Sequence, residues 1–379
     1  MKGHLEKRGP NWRLKYDLGV DPATTGKRNT KRVTLKARTK ADAQRQAAII
    51  LASVARGTHV DPSNQTVGDF VNHWLATEAK PNVSAKTFEG YDQLLRKHLL
   101  PRCGLVKLQQ LSAAHLKSAY AAMAEAGLSG RRQLHLHRVI FRALKHARQW
   151  NLIQQNVADL IDAPTAHSEE IEILTRAQVR TVLESLKGRT LYPIVALALG
   201  SGARRGELLA LRWSDLDLDK GTLRIERAVE QTKQRIAIKG TKTRHGRRSL
   251  TLPAVTLDAL REHWNETQRL YLALGRGRVS KDALIFAPID ADPFTPRSPR
   301  SVTKEWSLLA KRLGINSSFH ALRHTCTSLL IASGLDILTI SRRLGHANAS
   351  ITLNVYGHLM PNMDDRAAAI LDEALRKIE

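Results

Sequence analysis

The sequence predicts an α+β, multidomain chain: a small N-terminal β-sheet-plus-helix module, an all-helical bundle, and a mainly α domain with a three-stranded antiparallel sheet. Three observations point there. The chain has 379 residues, a length that suggests two or three domains. Apolar residues make up 42% and charged residues 25%, proportions of a chain with buried cores rather than a disordered polyelectrolyte. Along the chain the apolar spacing changes from alternating, to helical, to a mixture of both.

The alternating part comes first, at Trp12-Arg13-Leu14-Lys15-Tyr16 and again at Arg32-Val33-Thr34-Leu35, with a Gly- and Thr-rich turn between. Thr39 then precedes Asp42 by three residues and opens an Ala-rich helix through Ala55, a start that resembles a capping box. A unit this small buries little alone and reads as an appended binding module ending near residue 64. Gly57 to Asn64, containing Asp61-Pro62-Ser63, has the composition of a linker.

From residue 65 to 164 the spacing is helical throughout. Val67, Phe70, Val71, Trp74 and Leu75 mark one helix, and Leu94, Leu95 and Leu99 another. A later helix carries Leu134, Leu136, Ile140, Phe141 and Leu144 on one face and Arg131, Arg132, His135, Arg138, Arg142 and Lys145 on the other. That second face has no interleaved acids, so contact with a DNA backbone is expected of it, the alternative being solvated surface. Ile161 to Thr165 reads as a second linker.

Residues 165–379 are mixed. Thr175 with Gln178 caps a helix, Leu191 to Leu199 is a buried one, and Arg204 to Leu211 reads as helical. Strand alternation follows over Thr222 to Val229, Arg235 to Ile238 and Arg248 to Leu252, which together suggest a meander with a turn near His245-Gly246. Helices resume at Val255, interrupted by a Pro-rich loop around Pro288 to Pro299.

Lys and Arg total 60 against 35 Asp and Glu, a formal net charge of +25. The three segments carry +9, +6 and +10, so each is basic and the short first one most densely. This predicts several modules sharing one polyanion, nucleic acid before membrane. No apolar run approaches the ~20 residues of a membrane-spanning helix, and no apolar stretch follows the basic start at Lys2, so a cytoplasmic protein is expected. Cys103 and Cys326 are too few and too far apart for a disulfide scaffold or a thiolate zinc site, and read as small buried hydrophobes.

Three clusters carry chemistry. In Gly202-Ala203-Arg204-Arg205-Gly206-Glu207 the spacing lets the acid orient the first arginine. In His320-Ala321-Leu322-Arg323-His324 the first histidine and the arginine share a helical face suited to a phosphate. His320 and His324, four apart, also have a metal-pair spacing, though no acid lies nearby to complete a site. In Leu344-Gly345-His346 the glycine ends a helix, Ser350 is placed to cap the next, and Tyr356 follows ten residues after His346.

Taken together these motifs resemble those of the tyrosine recombinases, the phage-integrase family of site-specific DNA recombinases. The resemblance implies that Arg204, Arg323, His320, His346 and a lysine surround the nucleophile Tyr356, with Glu207 in support. Ala203 stands where the family often has a larger apolar residue. The lysine belongs to a turn between two strands, which makes Lys242 the match and Lys239 its rival. The resemblance further implies residues 1–64 as an arm-type DNA-binding module, 65–164 as a helical, SAM-like core-binding domain and 165–379 as the catalytic domain with a C-terminal helix.

The implied reaction cuts and rejoins DNA through a 3′-phosphotyrosine and a Holliday junction, with no cofactor and no metal. Expected partners are double-stranded DNA with specific core sites and arm-type sites, three further copies in a homotetramer, and accessory DNA-bending and directionality proteins. Ile370, Leu371, Ala374, Leu375 and Ile378 would form a helix docking on a neighbouring copy or on its own domain. The biological role is integration or excision of a phage or other mobile element. Xer-like dimer resolution is the alternative by the same chemistry. Rival classes are a non-catalytic DNA-binding regulator and a metal-dependent nuclease built on His320, His324 and His346.

Overall fold

A computed structural model describes residues 3–20, 28–56, 59–166, 172–241 and 246–359, with 368, 371–373 and 375–376 near the C-terminus. The chain divides into two compact units, Met1–Ser168 and Glu169–Glu379.

The first unit begins with an antiparallel sheet of β1 (His4–Arg8), β2 (Asn11–Val20) and β3 (Arg28–Leu35), in that order. Strand β1 goes beyond the two strands legible in the sequence. It has a single apolar residue, Leu5, and joins through backbone pairing with β2, which side-chain alternation does not report. Gly9, at φ 61°, turns the chain between them. Helix α1 (Lys40–Ala55) starts as expected, with the Thr39 side chain accepting from the Asp42 N–H. Leu14, Tyr16, Leu35, Ala37, Ala43 and Ala47 form a small core between sheet and helix.

The rest of this unit is helical and has a core of its own. Helices α2 (Val67–Trp74) and α3 (Lys80–Asn82) run on through a π turn at Leu75–Ala79, and α4 (Ala85–Leu94) and α5 (Leu100–Cys103) through another at Leu95–Leu99. Each π turn directly precedes a turn containing proline, Pro81 or Pro101. A proline ring inside a helix collides with the carbonyl four residues back, and a widened turn relieves it. Helices α6 (Ala113–Glu125) and α7 (Gly130–Gln149) complete the bundle. Trp74, fully buried, donates from Nε1 to His146 Nδ1 at 3.0 Å and so ties α2 to α7. Phe141, expected in the apolar stripe of α7, is instead exposed.

In the second unit, α8 (Arg176–Leu186) carries the capping box of Thr175 and Gln178. It is followed by the buried α9 (Tyr192–Ser201) and the short α10 (Arg205–Leu208). The strands do not form the expected meander. β5 (Thr222–Ile225) lies between β4 (Leu216–Asp217) and β8 (Arg248–Thr251), while among the described residues β6 (Arg227–Gln231) pairs with β7 (Ile236–Gly240) as a separate hairpin. The run Thr222 to Val229 is broken at Glu226, whose carbonyl accepts from Thr241 N–H. Alternation shows which side chains face inward, not which backbone each strand pairs with. Helices α11 (Ala254–Ala273), α12 (Pro299–Arg312), α13 (Ala321–Ala332), α14 (Ile337–Leu344) and α15 (Ala349–Tyr356) pack a large core with α9 and the strands, or extend it toward the C-terminus. Asn348, rather than Ser350, caps α15 and accepts from the Ser350 N–H.

Candidate active site

The first motif cluster begins where α9 stops. Gly202 closes that helix at φ 64°, and a Cβ there would stand 2.8 Å from Leu344 Cδ2. Conformation and space both demand glycine. Arg204, two residues on, is the N-cap of α10. Its backbone N–H donates to Glu207 Oε2 at 2.9 Å and its Nη1 donates to Oε1 at 2.8 Å. The helix expected over 204–211 is only Arg205–Leu208, so the arginine and glutamate meet through a capping box rather than along a helical face. The Arg204 side chain remains 44% exposed while that of Glu207 is 4% exposed.

Glu207 has a second cationic partner that spacing alone did not single out. Arg248, at the start of β8, donates from Nη2 to Glu207 Oε2 at 2.9 Å, from Nε to the Arg343 carbonyl at 2.7 Å and from Nη1 to the Gly246 carbonyl at 3.1 Å. Its parity with the buried Leu250 was the available signal: an arginine at an inward position of a strand needs a buried acceptor. Burial pushes the Glu207 carboxyl up, but the charge and hydrogen bond of Arg248, then those of Arg204, outweigh it and hold Glu207 below the usual carboxylate range.

Arg323, 3% exposed on α13, is aimed by two helix ends. It donates from Nη1 to the Gly202 carbonyl at 2.6 Å and from Nη2 to the Leu344 carbonyl at 2.9 Å. These carbonyls lie at the C-termini of α9 and α14, both closed by left-handed glycines, Gly202 and Gly345. Such ends carry free carbonyls and a partial negative charge that suit a guanidinium. Carbonyls at the glycine-closed ends of two motifs, those of Gly202 and Leu344, thus hold the arginine of the third. Burial, followed by the charge of Arg204, lowers the Arg323 pKa to about 10.

Arg323 Nη2 also lies 2.8 Å from His346 Nε2, and His346 Nδ1 lies 2.7 Å from Thr352 Oγ1. A guanidinium only donates, so Nε2 accepts and Nδ1 carries the hydrogen given to Thr352. Burial, then the charges of Arg323, Arg204 and Arg248, hold the His346 pKa down at about 4. His346, which the resemblance places around Tyr356, therefore has both ring nitrogens engaged, and donating to a phosphate would require exchange of its bond with Arg323.

Tyr356 ends α15 and is 1% exposed, packed with Ile331, Ile340 and Leu344. Burial raises its pKa, and hydrogen bonding by Thr327 and the charge of Arg323 pull it back in part. Its hydroxyl lies 2.6 Å from Nδ1 of His324, a residue the sequence offered only as part of a metal pair. His320, expected beside the tyrosine or the phosphate, is the N-cap of α13, exposed, with its ring edge-on to that of His324 at 4.8 Å. Surrounding protein, then the charges of His324, Arg323, Arg204 and Arg205, lower its pKa to about 4.

The family-level comparison decides what this arrangement belongs to. A model described as the phage integrase family matches residues 172–363, slightly more than half of the chain. The chain belongs to the phage integrase family. A second model, the N-terminal SAM-like domain of phage integrases, matches residues 66–123. An integrase of Streptomyces ambofaciens is 30% identical over 99% of this chain and 96% of its own length. A XerC-like tyrosine recombinase of Caldanaerobacter subterraneus is 26% identical over 89% of this chain and 90% of its own. In fold the chain is similar to the Tn1549 transposon integrase solved with circular intermediate DNA, with TM-score 0.67 and 20% identity over 82% of this chain and 99% of that one. It is also similar to a lambda integrase tetramer bound to a Holliday junction, with TM-score 0.57 and 18% identity over 91% of this chain and 96% of that one. The protein is a site-specific recombinase of the tyrosine type.

Of the remaining residues singled out in this recombinase, Lys242 lies outside the described residues. Lys239, its rival, is on β7 and donates to Glu230 Oε2 at 2.6 Å across the hairpin. Arg131, Arg138 and Lys145 are exposed on α7, and Arg132 and Arg142 half-buried, opposite the buried Leu136, Val139, Ile140, Ala143 and Leu144. Ile370, Ala374 and Ile378 lie outside the described side chains, while Leu371 and Leu375 are exposed. A cavity of about 940 Å³ between Tyr192, Tyr271 and Phe286 shares no lining residue with the Arg204, Arg323 and Tyr356 site. Cys103 and Cys326 are both buried free thiols. Among the described residues no helix is long and apolar enough to cross a membrane.

Proposed function

We propose that this integrase-family recombinase cuts and rejoins duplex DNA at specific core sites through a 3′-phosphotyrosine on Tyr356, and that it integrates or excises a phage or other mobile element. The observation that carries the reading is the meeting of three sequence-distant motifs at one guanidinium, where Arg323 bonds Gly202, Leu344 and His346. Those bonds use both hydrogens of Nη2 and one of Nη1, leaving single donors on Nε and Nη1 for phosphate oxygens. In the cutting step Tyr356 Oη forms its bond to phosphorus as the bond to the 5′-oxygen breaks. Negative charge builds on the non-bridging oxygens, and Arg204 and Arg323, always cationic, stabilise it in the place of a divalent ion. The departing 5′-oxygen takes a proton from an acid, which we assign to Lys242. Storing the cut as a phosphoester lets religation proceed without ATP.

Residues 1–64 would engage arm-type sites, 65–164 the core site through Arg131, Arg132, Arg138, Arg142 and Lys145, and 165–379 the scissile phosphate. The working assembly would be a homotetramer on two sites, with accessory DNA-bending and directionality proteins. The XerC-like relative supports a second reading, dimer resolution by the same chemistry. The two part by substrate, since dimer resolution joins two copies of one site and integration joins two unlike sites.

Incubation with a nicked core site, followed by denaturing electrophoresis, tests the chemistry. The wild-type chain should yield a protein–DNA adduct in the presence of chelator, and Tyr356→Phe none. Absence of adduct on a site the protein binds, or an unaltered adduct with Tyr356→Phe, would sink the reading.

A further inference from the structure

From the contact between the two side chains, we propose that His324 is the base that takes the proton from Tyr356 when the strand is cut, and returns it when the strand is rejoined. The proposal rests on Tyr356 being the nucleophile. The sequence motif directs attention to His320, yet the atom at the phenol is His324 Nδ1, 2.6 Å from Oη, within the reach required of a general base. The two ring centroids are 5.5 Å apart and the planes tilted at 53°, so the rings are not stacked and Nδ1 meets the hydroxyl at hydrogen-bond distance. In the Nε2-protonated tautomer Nδ1 accepts the phenolic hydrogen.

Placement on the fold supports the same role. His324 follows Arg323 directly on α13, so the phosphate-binding guanidinium and the base are fixed relative to one another by a single helical turn. Groups on a rigid element hold catalytic geometry better than groups on loops. Tyr356 arrives from α15 and is fully buried, with His324 at its hydroxyl. The phenol needs a base, because burial keeps it protonated at neutral pH.

The charges around His324 favour the required form. Burial and the neighbouring Arg323 lower its pKa, while Glu172 opposes them. His320 stands edge-on from the preceding turn of the same region and Tyr356 faces it from α15. The imidazole therefore resists protonation more than an ordinary histidine, which keeps Nδ1 available to accept a proton. The step balances: the Oη–H proton passes to Nδ1, Oη bonds to phosphorus, the bond to the 5′-oxygen breaks, and that oxygen is protonated by the acid assigned above. The imidazolium so formed is the acid for the returning step, in which a 5′-hydroxyl displaces Tyr356. His320, one turn earlier and more exposed, is left to the phosphate or to accepting the proton onward.

Single-turnover adduct formation on a nicked core site tests this with wild type, His324→Ala, His324→Gln and His320→Ala. His324→Ala should form adduct about 100-fold more slowly or worse, the usual contribution of a general base, and added imidazole should restore at least about tenfold of the loss. His324→Gln, which keeps a hydrogen bond but cannot titrate, should stay slow and lose the decline in rate that wild type shows on acidification, a decline set below the ordinary histidine range by the lowered pKa. Wild-type rates in His324→Ala would overturn the proposal, as would faster ones, which would make the contact a latch on the nucleophile. So would a loss that imidazole leaves unrestored with the pH profile unchanged in His324→Gln, or imidazole rescue in His320→Ala alone. Failure of the wild-type chain to form adduct would instead strike the reading of Tyr356 as nucleophile.

Discussion

At the scale of single residues the site is a set of arginines with different freedoms. Arg323 and Arg248 are buried and donate to backbone carbonyls, whereas Arg204 stays half in solvent and, among the described residues, is oriented by Glu207. Burial lowers the Arg323 pKa to about 10, which still leaves it cationic at neutral pH, and its carbonyl partners fix its direction in advance, the condition under which a charge would stabilise a phosphate without reorganisation. The lysines divide in the same way. Lys239 is committed to Glu230 across the β6–β7 hairpin, which would hold its ammonium away from a leaving oxygen. The expected result is that Lys242→Ala loses cleavage by about 100-fold or more and regains it on a substrate with a 5′-thiolate leaving group, which needs no proton. Lys239→Ala should cleave the ordinary substrate within a few-fold of wild type. Thiolate rescue of Lys239→Ala would reverse the assignment.

At the scale of elements, three helix ends rather than one helix face build the site. The C-terminus of α9, the N-terminus of α10 and the C-terminus of α14 each leave backbone groups without helical partners: Arg323 donates to the carbonyls of the two C-termini, and the Glu207 carboxylate accepts the Arg204 N–H at the N-terminus of α10. Gly202 does double service, ending α9 and admitting Leu344 so that both carbonyls can reach Arg323. Gly202→Ala should therefore lose about 1–2 kcal/mol for the left-handed backbone alone, with a further cost for the contact at 2.8 Å. Urea unfolding measures the first effect. Adduct formation should fall more than core-site binding, because the carbonyl that aims Arg323 moves. A variant as stable and as active as wild type would show that the glycine is incidental.

At the scale of the whole molecule, the +25 charge is spread over every segment rather than gathered at the site. Few of those charges sit beside Arg323, so most are available for duplex backbone, and binding should weaken steeply with salt. The N-terminal sheet and α1 close around a core of their own, Leu14, Tyr16, Leu35 and Ala43 among its members. Removal of residues 1–64 should then cost affinity for accessory sites, and flatten the salt dependence there, more than it costs cleavage at the core site. Filter binding at several salt concentrations beside adduct formation would check this, and equal losses in both would contradict the division.

Much of this was legible in the chain itself. The mixed α+β class follows from periodicity, because burial of one face leaves its spacing in the sequence whatever it packs against. Arg204, Glu207, Arg323, His346 and Tyr356 stood out by spacing, since each sits at a helix start or stop with a local signature. The sheet pairing, the part played by Arg248 and the contact of His324 with Tyr356 did not. Each depends on which distant backbone or side chain arrives opposite, and that is set by packing across 41 residues for Arg248 and Glu207 and 32 for His324 and Tyr356. Local spacing supplied the residue types, and tertiary structure alone decided which nitrogen meets the phenol.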